Sequence, residues 1–325
     1  MNLTLHNYLF LSHYVPLPLS ALKIIEKTPA HPFYEIKELK IEEIENELRN
    51  LNKLKGVSIR DIPKKASKSQ ELLKNSILDN ISENLEEWKE LGITVIPFFN
   101  DNFPVNLKKI NNPPKVLFVR GNYDFITKKA ISIVGTRNPT EYGKDMAYKI
   151  GYRFAELGFV VINGFAKGVD IEAIKGGLKA GGKIIGVLGS GLLNPYPKEN
   201  ANVFNEVLKD NTGLFISEQL PKSNITKSTL VTRNRISSAL SSGNVFIEGK
   251  NKSGTQWQLK YGKEQGKPTI ILKPIEIVEE TELPRNILNS EKNPHVIEKI
   301  SDIDQIAKSL SSPKKNTHKT ISDFL

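Results

Sequence analysis

Three glycine-bearing stretches of this 325-residue chain each set a cation beside a turn, an arrangement suited to holding phosphate. The first is GTRNPT, where Gly135, Thr136 and Arg137 follow the apolar run 131–134 and Thr140 stands where a helix cap is expected. The second, NGFAKGVD, brings Lys167 between Gly164 and Gly168, with Asp170 at a helix start. The third, EGKNKSGT, carries Lys252 between Gly249 and Gly254 and also enters a helix. A fourth stretch, TRNR, puts Arg233 and Arg235 early in another helix. Glycine turns let the backbone approach a ligand closely, and a helix start offers free N–H groups. Taken singly, each stretch reads equally well as an ordinary turn, a helix cap or a solvated helix face.

Catalysis is the weaker reading. All five histidines (His6, His13, His31, His295 and His318) fall outside residues 131–274. The carboxylates Asp170, Glu218 and Glu248 are single and scattered, without a spacing that suits acid–base or metal work. Ser190, in GSG, has neither a nucleophile-elbow pattern nor a base. Gly135 is not followed by the further glycines of a dinucleotide fingerprint. The chain has no cysteine, which excludes disulfides, thiolate metal sites and a cysteine nucleophile. No catalytic residue, metal or cofactor is expected.

The elements that position these stretches follow from periodicity. Strands are expected at 131–134, 159–162, 184–188, 214–217, 244–248 and 269–272, alternating with helices at about 140–157, 169–180, 199–210, 229–241 and 254–265. That alternation predicts an α/β, doubly wound, mainly parallel sheet. Right-handed crossovers then bring Arg137, Lys167, Arg233 and Lys252 to one edge of it, as an anion-binding groove. Two further strands are expected at 93–96 and 116–119. The resulting division is a smaller, mostly helical domain over 1–90, a sheet domain over 91–274, and a partly flexible extension over 275–325 with one helix near 300–310. Within the first domain, 63–68 reads as a polar break, and Leu72 to Trp88 reads as one helix face ended by Gly92. The apolar opening lacks a basic region and is broken by His13, Pro16 and Pro18, so it reads as a folded segment rather than a signal peptide. No run approaches a membrane span, and a cytoplasmic location is compatible.

The net charge is +10 and is unevenly spread. Residues 1–130 hold 19 basic and 16 acidic residues, 131–274 hold 20 and 11, and 275–325 hold 7 and 9. The surplus sits in the sheet domain, which favours a polyanion, nucleic acid first, although a solubility surface would look similar.

The order of motifs, IVGTRNPTEYG, NGFAKGVDIEAIKGGL, GVLGSGLLNPYP, ISEQ, TRNRISSALS and FIEGKNKSGT, resembles the DprA/Smf DNA-processing family over about residues 93–274. The resemblance implies an extended Rossmann-like fold and sequence-independent binding of single-stranded DNA. It also implies a role in natural transformation with delivery of strands to a RecA-type recombinase, usually by a homodimer. Carried onto this sequence, the pocket comprises Gly135, Thr136, Arg137, Gly164, Lys167, Gly168, Arg233, Asn234, Arg235, Ser253 and Gly254. The chain departs from the family pattern in places: Lys167 replaces an Arg, Ile174 a His, and SGTQWQLKYG the usual SGSLxTA. The 50 or so residues after Pro274 read as too few for the family's winged helix. The last run also resembles a phosphate loop of lysine-decarboxylase-like nucleotide hydrolases, with Gln256 and Gln258 where a catalytic Glu would stand. A nucleotide sensor or nucleoside-monophosphate hydrolase is therefore the alternative.

Overall fold

The apolar runs form the strands of an α/β fold in the computed structural model, which describes residues 3–311. The chain begins with α1 (Leu5–Leu9), which runs into a π-helical turn at Phe10–Tyr14. There follow α2 (Leu19–Lys27), α3 (Ile41–Asn52), α4 (Ile62–Lys74), α5 (Ile77–Glu90), β1 (Ile93–Pro97), α6 (Val105–Lys108) and β2 (Val116–Gly121). The alternating part has β3 (Ala130–Val134), α7 (Glu141–Glu156), β4 (Val160–Asn163), α8 (Val169–Lys179), β5 (Ile184–Leu188), α9 (Ala201–Lys209) and β6 (Gly213–Ser217). It continues with α10 (Lys227–Thr232), α11 (Asn234–Leu240), β7 (Asn244–Phe246), α12 (Gly254–Glu264) and β8 (Thr269–Leu272). The remaining elements are α13 (Glu282–Ser290), β9 (His295–Ile297) and α14 (Asp302–Ser311).

Among the described residues nine strands lie in the order β1-β2-β6-β5-β4-β3-β7-β8-β9. β2 is antiparallel to β1 and to β6, while β4, β3, β7, β8 and β9 run parallel. The sheet is thus mixed, mostly parallel and Rossmann-like. From β3 the chain winds outward through β4 and β5, then returns to build β7, β8 and β9 on the other side of β3. The topological switch point lies between β3 and β7, where such sheets open a crevice at their carboxyl ends. Register there pairs Ser132 with Asn244 and Val134 with Phe246.

The chain forms two compact units, Met1–Thr127 with Gly186–Arg233, and Lys128–Ile185 with Asn234 onward. This grouping differs from a division at residues 90 and 274. In the first unit the apolar N-terminal segment is core: Leu9, Phe10 and Leu11 are buried. The Lys115 ammonium donates to the carbonyl of Ser12, inside the π-turn, and to that of Leu17, beyond it, both at 2.9 Å. Residues 63–68, expected as a break, instead lie in α4. Pro63 sits in its first turn, where a missing N–H costs nothing. The break falls later, at Ser76, whose φ of 54° is left-handed, so the Leu72-to-Trp88 stripe belongs to two helices.

In the second unit β3 and β4 are buried throughout, as parallel strands covered on both faces should be. α7 and α8 cross closely because Gly151 and Gly176 have no side chain. A Cβ on Gly176 would run into the Tyr148 carbonyl, and one on Gly151 into that of Ala173. The segment after Pro274 is more ordered than its mixed composition suggests: Leu283 and Ile287 of α13 pack with Val134, Phe246 and Ile271. β9 then pairs with β8. The helix expected over 229–241 is two, α10 with no buried residue and α11 with all seven buried. A flexible tail expected over 311–320 lies almost wholly outside the described residues.

Candidate functional site

Within the second unit, three loops leave the carboxyl ends of the neighbouring strands β4, β3 and β7 and lock together by backbone. The Thr136 amide donates to the Glu248 carbonyl at 2.8 Å, and the Val169 amide to the Thr136 carbonyl at 3.2 Å. Gly168, at φ +76°, lies so close to the first loop that a Cβ would stand 2.5 Å from the Thr136 oxygen and 2.6 Å from that of Arg137. Gly135 is equally constrained, since its Cβ would meet Val169 at 2.5 Å. These glycines therefore serve contact between loops as well as any approach by a ligand.

The start of α7 is not open. Glu248, 3% exposed, accepts from the Thr140 amide at 2.8 Å and from the Thr140 hydroxyl at 2.6 Å. The same hydroxyl accepts from the Gly143 amide at 3.0 Å, and a side chain on Gly143 would collide with the Glu248 carboxylate. A helix N-terminus stabilises an anion, and here the chain supplies its own. Of the N–H groups expected from the sequence at this helix start, that of Thr140 goes to Glu248 and that of Gly143 to the Thr140 hydroxyl. Burial, and then the Glu248 and Asp145 carboxylates, push the Tyr142 hydroxyl upward, so it stays neutral.

Asp170 shapes the second loop. Its carboxylate accepts from the Gly164 amide at 3.0 Å, while Asn163 donates to the carbonyls of Ile133 at 3.1 Å and Asp170 at 2.8 Å. Gly164 thus gives its amide to the protein. Phe165 is held at φ 58° with its amide on Asn163.

The cations divide into two kinds. Arg137, Lys167 and Lys252 are exposed. Among the described residues, Arg137 and Lys252 make no side-chain hydrogen bond or ion pair. By contrast Lys144, Lys149, Lys175, Lys250, Lys263 and Lys273 of the same unit are each paired with a carboxylate. Arg233 and Arg235 are buried, at 8% and 4%. Arg233 closes the first unit and donates to the Val187 carbonyl at 2.8 Å. Asn234, also buried, donates to the Gly254 carbonyl at 3.3 Å, which ties α11 to the start of α12. There Ser253 is the N-cap but makes no capping bond, and its buried hydroxyl has no partner among the described residues. Gly254 is exposed. So the α12 start keeps what the α7 start has given away.

Behind α12 lies a buried polar cluster. The Gln258 amide donates to the Ser132 hydroxyl at 3.0 Å and to Asn244 Oδ1 at 2.8 Å, and accepts from Ser237 at 3.1 Å. Asn244 in turn donates to Ser238 at 3.1 Å. Gln258 is wholly engaged in packing. Among the described residues, no group of three or more His, Asp or Glu could hold a metal ion. Sequence reasoning passed over the outer face of α12, where Trp257, Lys260 and Tyr261 recur at helical spacing.

The sequence profile of the DNA recombination-mediator protein A family matches residues 94–308. Over 184 residues the chain is 36% identical to the DNA processing protein DprA of Bacillus subtilis, covering 56% of this chain and 61% of that protein. It is 32% identical to the protein Smf of Synechocystis, also over 184 residues, 55% of this chain and 46% of that protein. The matched part thus spans about half to three-fifths of these relatives' own length. The X-ray structure of DprA from Streptococcus pneumoniae superposes with a TM-score of 0.75 at 22% identity, covering 94% of this chain and 98% of that one. DNA processing protein A from Helicobacter pylori, whose structure was described for its single-stranded DNA binding mode, superposes at 0.60 with 26% identity. That match covers 67% of this chain and 96% of the other.

Proposed function

The chain belongs to the DNA recombination-mediator protein A family, and from that premise we propose that its loop rim binds single-stranded DNA without sequence preference. The observation that carries this is the contrast between two helix starts. The one at α7 is filled by Glu248, while the one at α12 lies open beside Lys252, an exposed cation with no partner among the described residues. Arg137 adds a second such cation. Such groups suit phosphates: fixed charges displace counterions, and backbone amides take the remaining oxygens. Thr136, Gly168 and Lys167 border this rim. Asn234 is buried and serves it from beneath, by holding the α12 start, while Arg233 and Arg235 are buried as well.

In this reading the protein is a binding protein, not an enzyme, and works without cofactor. Glu248 is spent on Thr140 and Gln258 on its buried cluster, which speaks against a nucleoside-monophosphate hydrolase. The biological role is DNA processing in the cytoplasm, as in natural transformation, with a homodimer passing strands to a RecA-type recombinase. The test titrates labelled oligo-dT of increasing length against wild type and a Arg137→Glu, Lys252→Glu double variant, with AMP as competitor. Length-dependent binding that the double variant loses supports the reading. Equal binding by both proteins, or full competition by AMP, rejects it.

A further inference from the structure

Helix α12 leaves the rim with Thr255, Gln258 and Gly262 turned inward and buried. Its outer face carries Trp257, still 40% exposed. The Lys260 ammonium sits 5.0 Å from the Trp257 ring centre, and the Tyr261 ring lies 6.2 Å away. Lys260 has no ion pair among the described residues, whereas Lys263 is paired with Glu291. Tryptophan is a large apolar side chain that normally hides most of its surface. This one stands one turn into the helix, about 5 Å along its axis from Gly254.

We propose that Trp257 is a stacking platform for an unpaired base of a strand whose phosphate lies at the α12 start, with Lys260 facing the strand's next charge. The proposal rests on the reading of the rim as a single-strand site and deepens it. Charge selects the occupant. Unpaired Lys252 and Lys260 beside an aromatic face suit a polyanion with flat π-surfaces, since every base offers one. A second copy of the chain would bring the same cations to the same place and be repelled. Position 257 lies in the run that departs from the family's usual SGSLxTA, so the platform belongs to this chain's own residues.

The chain has two tryptophans, and Trp88 is buried at 3%. Emission from Trp257 therefore reports contact directly. The full chain is titrated with oligo-dT and with an abasic strand of equal length, following labelled-strand anisotropy and tryptophan emission together. Stacking quenches the emission with oligo-dT only. Trp257→Ala weakens oligo-dT binding about tenfold and abasic binding hardly at all, while Trp257→Phe retains most of the affinity and loses the quenching. If oligo-dT binds Trp257→Ala as tightly as wild type, the platform is wrong and the rim reading stands. If neither strand binds wild type, the rim reading itself fails. If the emission changes with protein concentration alone, a second copy covers Trp257 and the platform is rejected.

Discussion

Glu248 and Thr140, 108 positions apart in sequence, are joined by two hydrogen bonds, from the Thr140 amide and from its hydroxyl, to the two oxygens of one carboxylate. The bond pair fixes the loop after β7 against the start of α7, on either side of the switch point. Glu248→Gln keeps the shape, turns one acceptor into a donor and removes the charge that the helix start favours. It should cost about 1–3 kcal/mol of stability in urea unfolding, with strand affinity unchanged or slightly raised. A loss of affinity with stability intact would mean that the carboxylate takes part in binding.

Arg137→Ala and Lys252→Ala should each remove about one phosphate contact. The slope of log K against log salt for oligo-dT should then flatten by about 0.7 per substitution, since single strands release fewer counterions than duplex. Anisotropy titrations at several salt concentrations read this directly. An unchanged slope would place the residue off the path of the strand.

His13 gives the first unit a pH dependence. Its Nε2 lies 3.2 Å from the Glu218 carbonyl and its Nδ1 2.8 Å from the Ser12 hydroxyl. Burial, with a smaller contribution from Lys115, lowers its pKa from the usual 6.5 to about 4, against the opposing hydrogen bond to Glu218. Between those values the unfolded chain binds a proton that the folded chain refuses. Stability is therefore full above 6.5 and falls as pH drops towards about 4, by roughly 1.4 kcal/mol per pH unit. His13→Gln should show a shallower fall over the same window in urea unfolding, and an identical fall would discount the histidine.

Gly176→Ala places a methyl against the Tyr148 carbonyl, where α8 crosses α7. It should cost about 1–3 kcal/mol by forcing the helices apart. Gly181→Ala, at φ +73° with open space around it, carries backbone strain but no clash and should cost about 1 kcal/mol or less. Thermal melts of the two proteins side by side would check the ranking.

The strands of the second unit were legible because parallel strands buried on both faces are unbroken apolar runs, and 269–272 is β8 to the residue. The placing of Arg137, Lys167 and Lys252 in exposed loops after those runs was legible too. What the chain did with its carboxylates was not: Glu248 and Thr140 meet only through the fold, and no periodicity links them. Nor was the burial of Arg233 and Arg235, because TRNR reads as polar while all seven residues of α11 lie inside. In the first unit, residues 63–68 read as a polar break because they are mostly lysine and serine after a proline, yet a proline in the first turn opens a helix rather than ending one.

The amide of Gln258 has a consequence on the far side of its helix. It holds α12 to Ser132 on β3 and Asn244 on β7 while accepting from Ser237 on α11. A slip of α12 by one residue would swing the helix by about 100° and break all three bonds together. The azimuth of Ser253, Gly254 and Trp257 is therefore already set by the fold itself. A rim fixed in this way loses little conformational freedom on association, so more of each contact's energy remains as affinity.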